Sequence, residues 1–153
     1  MQTENRLLYV SLGANTGRRE ESIGRAVAMM EEEIGKCTAC SRLYETEPQG
    51  FASPNLFLNA AAAFITALSA SEILQITQDI ERRLGRTAKS TGGHYADRPI
   101  DIDILLYDDM IIKSEELTIP HPLITERDLV MKPLVEIAGD TVHPLLGKKL
   151  LEI

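Results

Sequence analysis

The sequence predicts an α+β sandwich, and three observations carry that prediction. Short apolar runs of strand length alternate with two stretches of helical periodicity, Gly- and Pro-containing turns separate them, and the chain reads as a single unit over residues 1-153. That length is about one domain's worth, enough to bury a core without a disulfide or structural metal.

"LLYVSL" (7 to 12) is a strand followed by the turn "GANTG". In "REESIGRAVAMMEEEIG", Ile23, Val27, Met30 and Ile34 recur at helical spacing, and Gly35 can take the left-handed position past the last turn. Residues 37 to 46 and 56 to 66 read as two more strands, joined by the loop "EPQGFASPN". The second helix opens at "SASE", where Ser69 and Glu72 have capping-box spacing, carries Ile73, Ile76, Ile80 and Leu84 as its stripe, and ends at Gly85. A basic loop and the strand "PIDIDILLY" follow. The order strand, helix, strand, strand, helix, strand fits a ferredoxin-like βαββαβ sandwich, a mainly antiparallel sheet with both helices on one face. A C-terminal extension adds a brief strand, a Pro-His-Pro turn and a helix that Pro133 should interrupt or restart.

Composition narrows the partners. A hydrophobic content of 44% with 25% charged residues is that of a soluble globular protein, and no apolar run approaches the roughly 18 residues of a membrane span. "MQTENRLLYVSLG" lacks the basic start and long apolar run of a signal peptide, which favours the cytoplasm. A net charge of −7 and 5% aromatic residues argue against nucleic acid. No obligatory protein partner is expected. Cys37 and Cys40 form a CxxC without a second pair or nearby histidines, in a stretch that reads as extended, so they are expected to be ordinary reduced thiols.

The charge is unevenly spread. Residues 82 to 98 hold Arg82, Arg83, Arg86, Lys89 and Arg98 against Asp97 alone, a net +4 that leaves −11 on the rest. This segment runs straight into "ADRPIDIDILLYDD". In a strand Asp101 and Asp103 share one face, roughly 6 to 7 Å apart, while Ile100, Ile102 and Ile104 face the other. Like charges at that spacing repel, and a hard divalent cation relieves the penalty. Mg²⁺ suits one or two carboxylates plus water and phosphate oxygens, so the pair beside a cationic loop supplies both halves of a nucleoside polyphosphate site. A solvated acidic face beside a solvated basic loop explains the same residues equally well. Asp108 and Asp109 read as turn residues.

Other chemistry finds little support. GxxxxGK[ST], GxGxxG and GxSxG are all absent. His121, held in "PHP", could aim an imidazole at phosphate or serve only the turn. His94 could add a donor in the basic loop, and His143 in "VHP" reads as a surface or turn residue.

Taken together, "SLGAN", "LNAAAAFITALSASEILQITQDIERRLGR", "ADRPIDIDILLYDD" and "LTIPHPLITERDLV" resemble the 6-hydroxymethyl-7,8-dihydropterin pyrophosphokinase family of folate biosynthesis, over nearly the whole chain. The resemblance implies transfer of a pyrophosphoryl group from ATP to the pterin hydroxymethyl oxygen, with release of AMP. It implies that Asp101 and Asp103 hold two Mg²⁺ ions and, with Arg86 and Arg98, form the catalytic set. For ATP it implies Gln78, Glu81, Arg86, Arg98, Ile104, Thr118, His121 and Arg127, with Ile104 flanking adenine. For the pterin it implies Thr46, Glu47, Gln49, Phe57 stacking on the ring, Asn59 bonding its edge, and Leu129 where relatives often carry an aromatic. Phe57 could otherwise be a core aromatic, but Asn59 on the same strand face argues against an all-core face. Two other readings fit the residues: a ferredoxin-like nucleotide-binding regulatory module, and another DxD metal-dependent transferase using a nucleotide.

Overall fold

The computed structural model describes residues 5–46, 56–85 and 99–153. Strand β1 (Arg6–Ala14) leads into helix α1 (Arg19–Glu33), then come β2 (Lys36–Cys40), β3 (Tyr44–Thr46), β4 (Phe57–Thr66), helix α2 (Ala70–Arg83) and β5 (Asp101–Tyr107). The sheet order is β2-β4-β1-β5, every pairing antiparallel, and β3 continues along β4 beyond β2. The expected βαββαβ sandwich is therefore present. Two short strands, β6 (Ile112–Lys113) and β7 (Thr118–Ile119), form a separate hairpin before the helices α3 (Leu123–Glu126) and α4 (Asp128–Ala138).

Alternation along the strands sorts side chains onto two faces. On the first face Leu8, Val10, Leu12, Ala60, Ala62, Phe64, Ile102 and Ile104 meet Ile23, Ala26 and Met30 of α1 and Ile73 and Ile80 of α2. On the second, Tyr9, Ala61, Ala63, Leu105 and Leu106 meet Ile124, Val130, Leu134 and Ala138 of α3 and α4. The C-terminal extension is thus a second helical layer. α2 is fixed as expected: Ser69 Oγ accepts the Glu72 N–H, Glu72 accepts the Ser69 N–H, and Gly85 follows the last turn at φ +104°.

Three expectations need correction. The strand expected over 37 to 46 is broken at Ser41 to Leu43, where Ser41 Oγ accepts the Ala61 N–H and the Arg42 N–H turns to Glu136 of α4. Gly35 has no positive φ; it is needed because a Cβ there would lie 1.9 Å from the Ile65 carbonyl oxygen. Pro133 lies inside an unbroken α4, and the helical run breaks earlier, at Arg127, whose backbone is extended. The lost hydrogen bond and ring clash of a helix-interior proline cost about 3 kcal/mol, which the burial of Val130, Leu134 and Ala138 on the sheet offsets.

Candidate active site

The apolar residues that pack with α3 and α4 occupy one end of their face. Along β1 that face carries Leu7, Tyr9, Ser11 and Gly13, passing from apolar to polar, and its neighbours change in step. Ser11 is in register with Ala61 on one side and Asp103 on the other; Gly13 lies between Asn59 and Asp101. A bulge in β5 marks the boundary, since Tyr9 pairs with Leu106 and Val10 with Ile104, leaving Leu105 as the extra residue. The bulge puts both Leu105 and Leu106 under the α3 and α4 layer, while Asp101 and Asp103 remain beyond it, half-buried. Ile100, Ile102 and Ile104 are buried on the first face, as alternation predicts.

The bulge also docks the Pro-His-Pro turn, because the Leu105 carbonyl accepts the His121 N–H at 3.0 Å. The His121 ring is then oriented by its own Nδ1, which accepts the Leu123 N–H at 3.1 Å. A neutral imidazole whose Nδ1 accepts must carry its proton on Nε2. That nitrogen lies 4.0 Å from Asp103 Oδ1, so a donor and a carboxylate share the corner.

Across Gly13, Asn59 Nδ2 donates to Thr46 Oγ1 at 2.7 Å and to the Tyr44 carbonyl at 3.5 Å. With its amide nitrogen turned toward β3, Asn59 presents Oδ1 toward Gly13, where an added Cβ would come within 3.2 Å of that oxygen. Phe57 is buried two residues along the same face. Leu129, in the first turn of α4, packs against the second-face cluster, half-buried. Arg127 lies half-buried at the break between α3 and α4, and Thr118 is exposed on β7.

The structure therefore gathers Asp101, Asp103, His121, Asn59, Thr46 and Phe57 on one face. Three other expected residues lie on or against the first-face layer. Gln78 is half-buried on α2, in the first-face layer. Ile104 has its side chain in the first-face core, 4% exposed, so only the strand's edge is left to meet a base. Glu81 is 3% exposed, and its carboxylate accepts the Ile102 N–H at 2.8 Å. Glu47, Gln49, Arg86, His94 and Arg98 lie outside the described residues.

Two contributions escaped the sequence reading. Ser11 and Gly13 form the floor between the two halves of the corner, signalled only by the change of polarity along alternate β1 positions. Arg19, at the start of α1, donates to the Leu56 carbonyl at 2.8 Å and pairs with Glu45 at 2.9 Å, tying the end of β3 to the start of β4 beside Thr46 and Phe57. No periodicity announces such a link. Cys37 and Cys40 lie on β2 as free thiols, both pushed to higher pKa mainly by burial, which disfavours the reactive thiolate.

For a divalent ion the donor set fits. Two half-buried carboxylates on one strand face leave most coordination positions to water and substrate oxygens, the arrangement Mg²⁺ favours. Among the described residues no cluster of three or more His, Cys, Asp or Glu gathers, at this corner or elsewhere, so the protein's described share would be the two carboxylates.

Fold and site together define a ferredoxin-like α+β protein that carries two strand-borne carboxylates and an oriented imidazole on one sheet face. The chain belongs to the 7,8-dihydro-6-hydroxymethylpterin-pyrophosphokinase (HPPK) family, whose profile matches residues 9–139. It is 49% identical over 139 residues to the 2-amino-4-hydroxy-6-hydroxymethyldihydropteridine pyrophosphokinase of Porphyromonas gingivalis, covering 90% of this chain and 94% of the relative. The Bacillus subtilis protein of the same name is 40% identical, at 87% and 78% coverage. The mitochondrial folate synthesis bifunctional protein of Arabidopsis thaliana is 38% identical over 93% of this chain, which spans 25% of that relative. Among solved structures, wild-type Plasmodium falciparum HPPK-DHPS with SDX-DHP superposes with a TM-score of 0.76 at 16% identity, over 98% of this chain and 44% of that one, a likeness of fold. Family membership implies use of ATP. No helix among the described residues is long and apolar enough to cross a membrane.

Proposed function

We propose that this chain transfers the pyrophosphoryl group of ATP to the hydroxymethyl oxygen of 6-hydroxymethyl-7,8-dihydropterin, releasing AMP, as a step of folate biosynthesis. The observation that carries the reading is the register that sets Asp101, Gly13 and Asn59 side by side on three adjacent strands. One end of that row suits a phosphate-bound cation and the other a hydrogen-bonding heterocycle.

In this reading Asp101 and Asp103 would hold Mg²⁺, with two ions expected. Bound there, the ions would neutralise triphosphate charge and orient the attacking hydroxyl. The hydroxymethyl oxygen forms a bond to the β-phosphorus, the bond from that phosphorus to the α,β-bridging oxygen breaks, its electron pair leaves with AMP, and the hydroxyl proton passes to water. His121 donates from Nε2 to a phosphate oxygen, a role supported by its fixed ring. Arg86, Arg98, Arg127 and Thr118 complete the phosphate contacts, and Gln78 and Ile104 border the nucleoside. On the pterin side Asn59 Oδ1 accepts from a ring N–H, because its Nδ2 is committed to Thr46. Phe57 and Leu129 bound the ring plane, and Glu47 and Gln49 add further contacts. Positioning and charge neutralisation account for such a reaction without a strong dedicated base.

The test is chromatography of the nucleotides after incubation with ATP, Mg²⁺ and the hydroxymethyl pterin. AMP should appear mole for mole with pterin pyrophosphate, and only when all three are present. Formation of ADP, or no AMP, would reject the proposal.

A further inference from the structure

Glu81 was expected to line the nucleotide pocket. The structure buries it on the last turn of α2, 3% exposed, with Oε2 accepting the N–H of Ile102 at 2.8 Å. A carboxylate in that position is costly unless strongly hydrogen-bonded. A bond from a backbone N–H to an ionised oxygen is short and roughly twice as strong as a neutral one. Its place in the sequence matters more than its strength. Ile102 is the residue between Asp101 and Asp103, on the outermost strand of the sheet, in register with Leu12 of β1. Both peptides flanking Ile102 carry an aspartate, so whatever fixes the Ile102 backbone fixes the angle at which the two carboxylates leave the strand.

We propose that Glu81 is a positioning residue: from the first-face layer it holds the Ile102 peptide, and through it the relative placement of Asp101 and Asp103 on the opposite face. This rests on the reading of the aspartates as a metal site. Partners that orient metal ligands without touching the metal are worth about 10- to 100-fold in metal affinity or activity. A buried carboxylate on the neighbouring helix fills that role here.

The experiment compares the full chain with Glu81→Gln and Glu81→Ala, using two readouts. Amide hydrogen exchange at Ile102, followed by NMR, reports the hydrogen bond directly. Mn²⁺ binding in the presence of a non-hydrolysable ATP analogue, with the Mg²⁺ dependence of turnover, reports the aspartates. Glu81→Ala is expected to speed Ile102 exchange and to raise the metal concentration needed by about tenfold, while nucleotide affinity at saturating metal stays put. Glu81→Gln, which keeps an acceptor oxygen, should recover most of both; if the alanine variant does not fold, the glutamine variant against wild type carries the comparison. Faster exchange with an unchanged metal requirement would overturn the proposal, as would weaker nucleotide binding at saturating metal, which marks direct contact. Wild-type protein that binds no Mn²⁺ and forms no AMP, yet shows Ile102 protection lost in Glu81→Ala, would overturn the functional reading and the metal half of this proposal together, leaving the strand contact standing.

Discussion

His121 and His143 stand in the same tripeptide, His-Pro-Leu, and use it the same way: each Nδ1 accepts the N–H of the leucine two residues on. Their surroundings separate them. His121 keeps Nε2 toward Asp103, whereas His143 is 5% exposed and its Nδ1 also takes the Leu146 N–H. Burial pushes the His143 pKa below its ordinary value. The unfolded chain then takes up a proton near about pH 6.5, while the folded chain resists until a lower pH, so this stabilisation is full above about 6.5 and fades as pH falls through the lower folded value. Urea midpoints at pH 7.5 and 5.5 should therefore differ less in His143→Asn than in wild type; an equal difference would show that His143 does not contribute. The sequence placed His143 at the surface or in a turn, and only the turn was visible there, since burial is set by packing and not by the local motif. The aspartate pair was legible because a period of two is a local property of a strand. The bond from Ile102 to Glu81 was not, because the two lie 21 positions apart on different elements.

At the scale of elements, Gly35 shows how a right residue acquires a wrong reason. A glycine after a helix reads as a left-handed cap, yet here the turn between α1 and β2 presses on β4, and the Ile65 carbonyl occupies the space of a side chain. The obstacle is backbone, which cannot rotate aside. Gly35→Ala should lower the urea midpoint by the equivalent of about 1 to 3 kcal/mol with an unchanged denaturant slope. A midpoint within error of wild type would mean that the turn and β4 move apart freely. The break between β2 and β3 was hidden for a similar reason. Nothing in "CSRLYE" signals an end of pairing, and the amide released there is satisfied by Glu136, whose carboxylate is held at lower pKa chiefly by the Tyr44 hydroxyl, then by Arg42. Pro133 misled in the opposite direction, its penalty being real but smaller than what the buried helix face gains.

For the whole molecule, the run of alanines in β4 explains how two helical layers share one sheet. Alanine is depleted in strands, but Ala60 and Ala62 face one layer and Ala61 and Ala63 the other, so short side chains let helices approach from both sides. The sequence revealed the strand and the order of elements. That the extension forms a layer on the face that Ser11 and Gly13 share emerges only from packing.

The row Asp101, Gly13, Asn59 also works as a gauge. Neighbouring strands sit about 4.8 Å apart, so the ends of the row are roughly 10 Å from one another, a span locked by ladder hydrogen bonds and insensitive to side-chain rotamers. Under the proposed reaction that fixed length selects the arm between ring and nucleophile. A pterin with a hydroxyethyl group would carry its oxygen about 1 Å past the point of attack, and such a misplacement costs on the order of 100-fold in turnover. Comparable kcat for the two alcohols would show that the gauge is slack. Tolerance for substrate length is thus written into the backbone, where exchange of one side chain for another has little power to revise it.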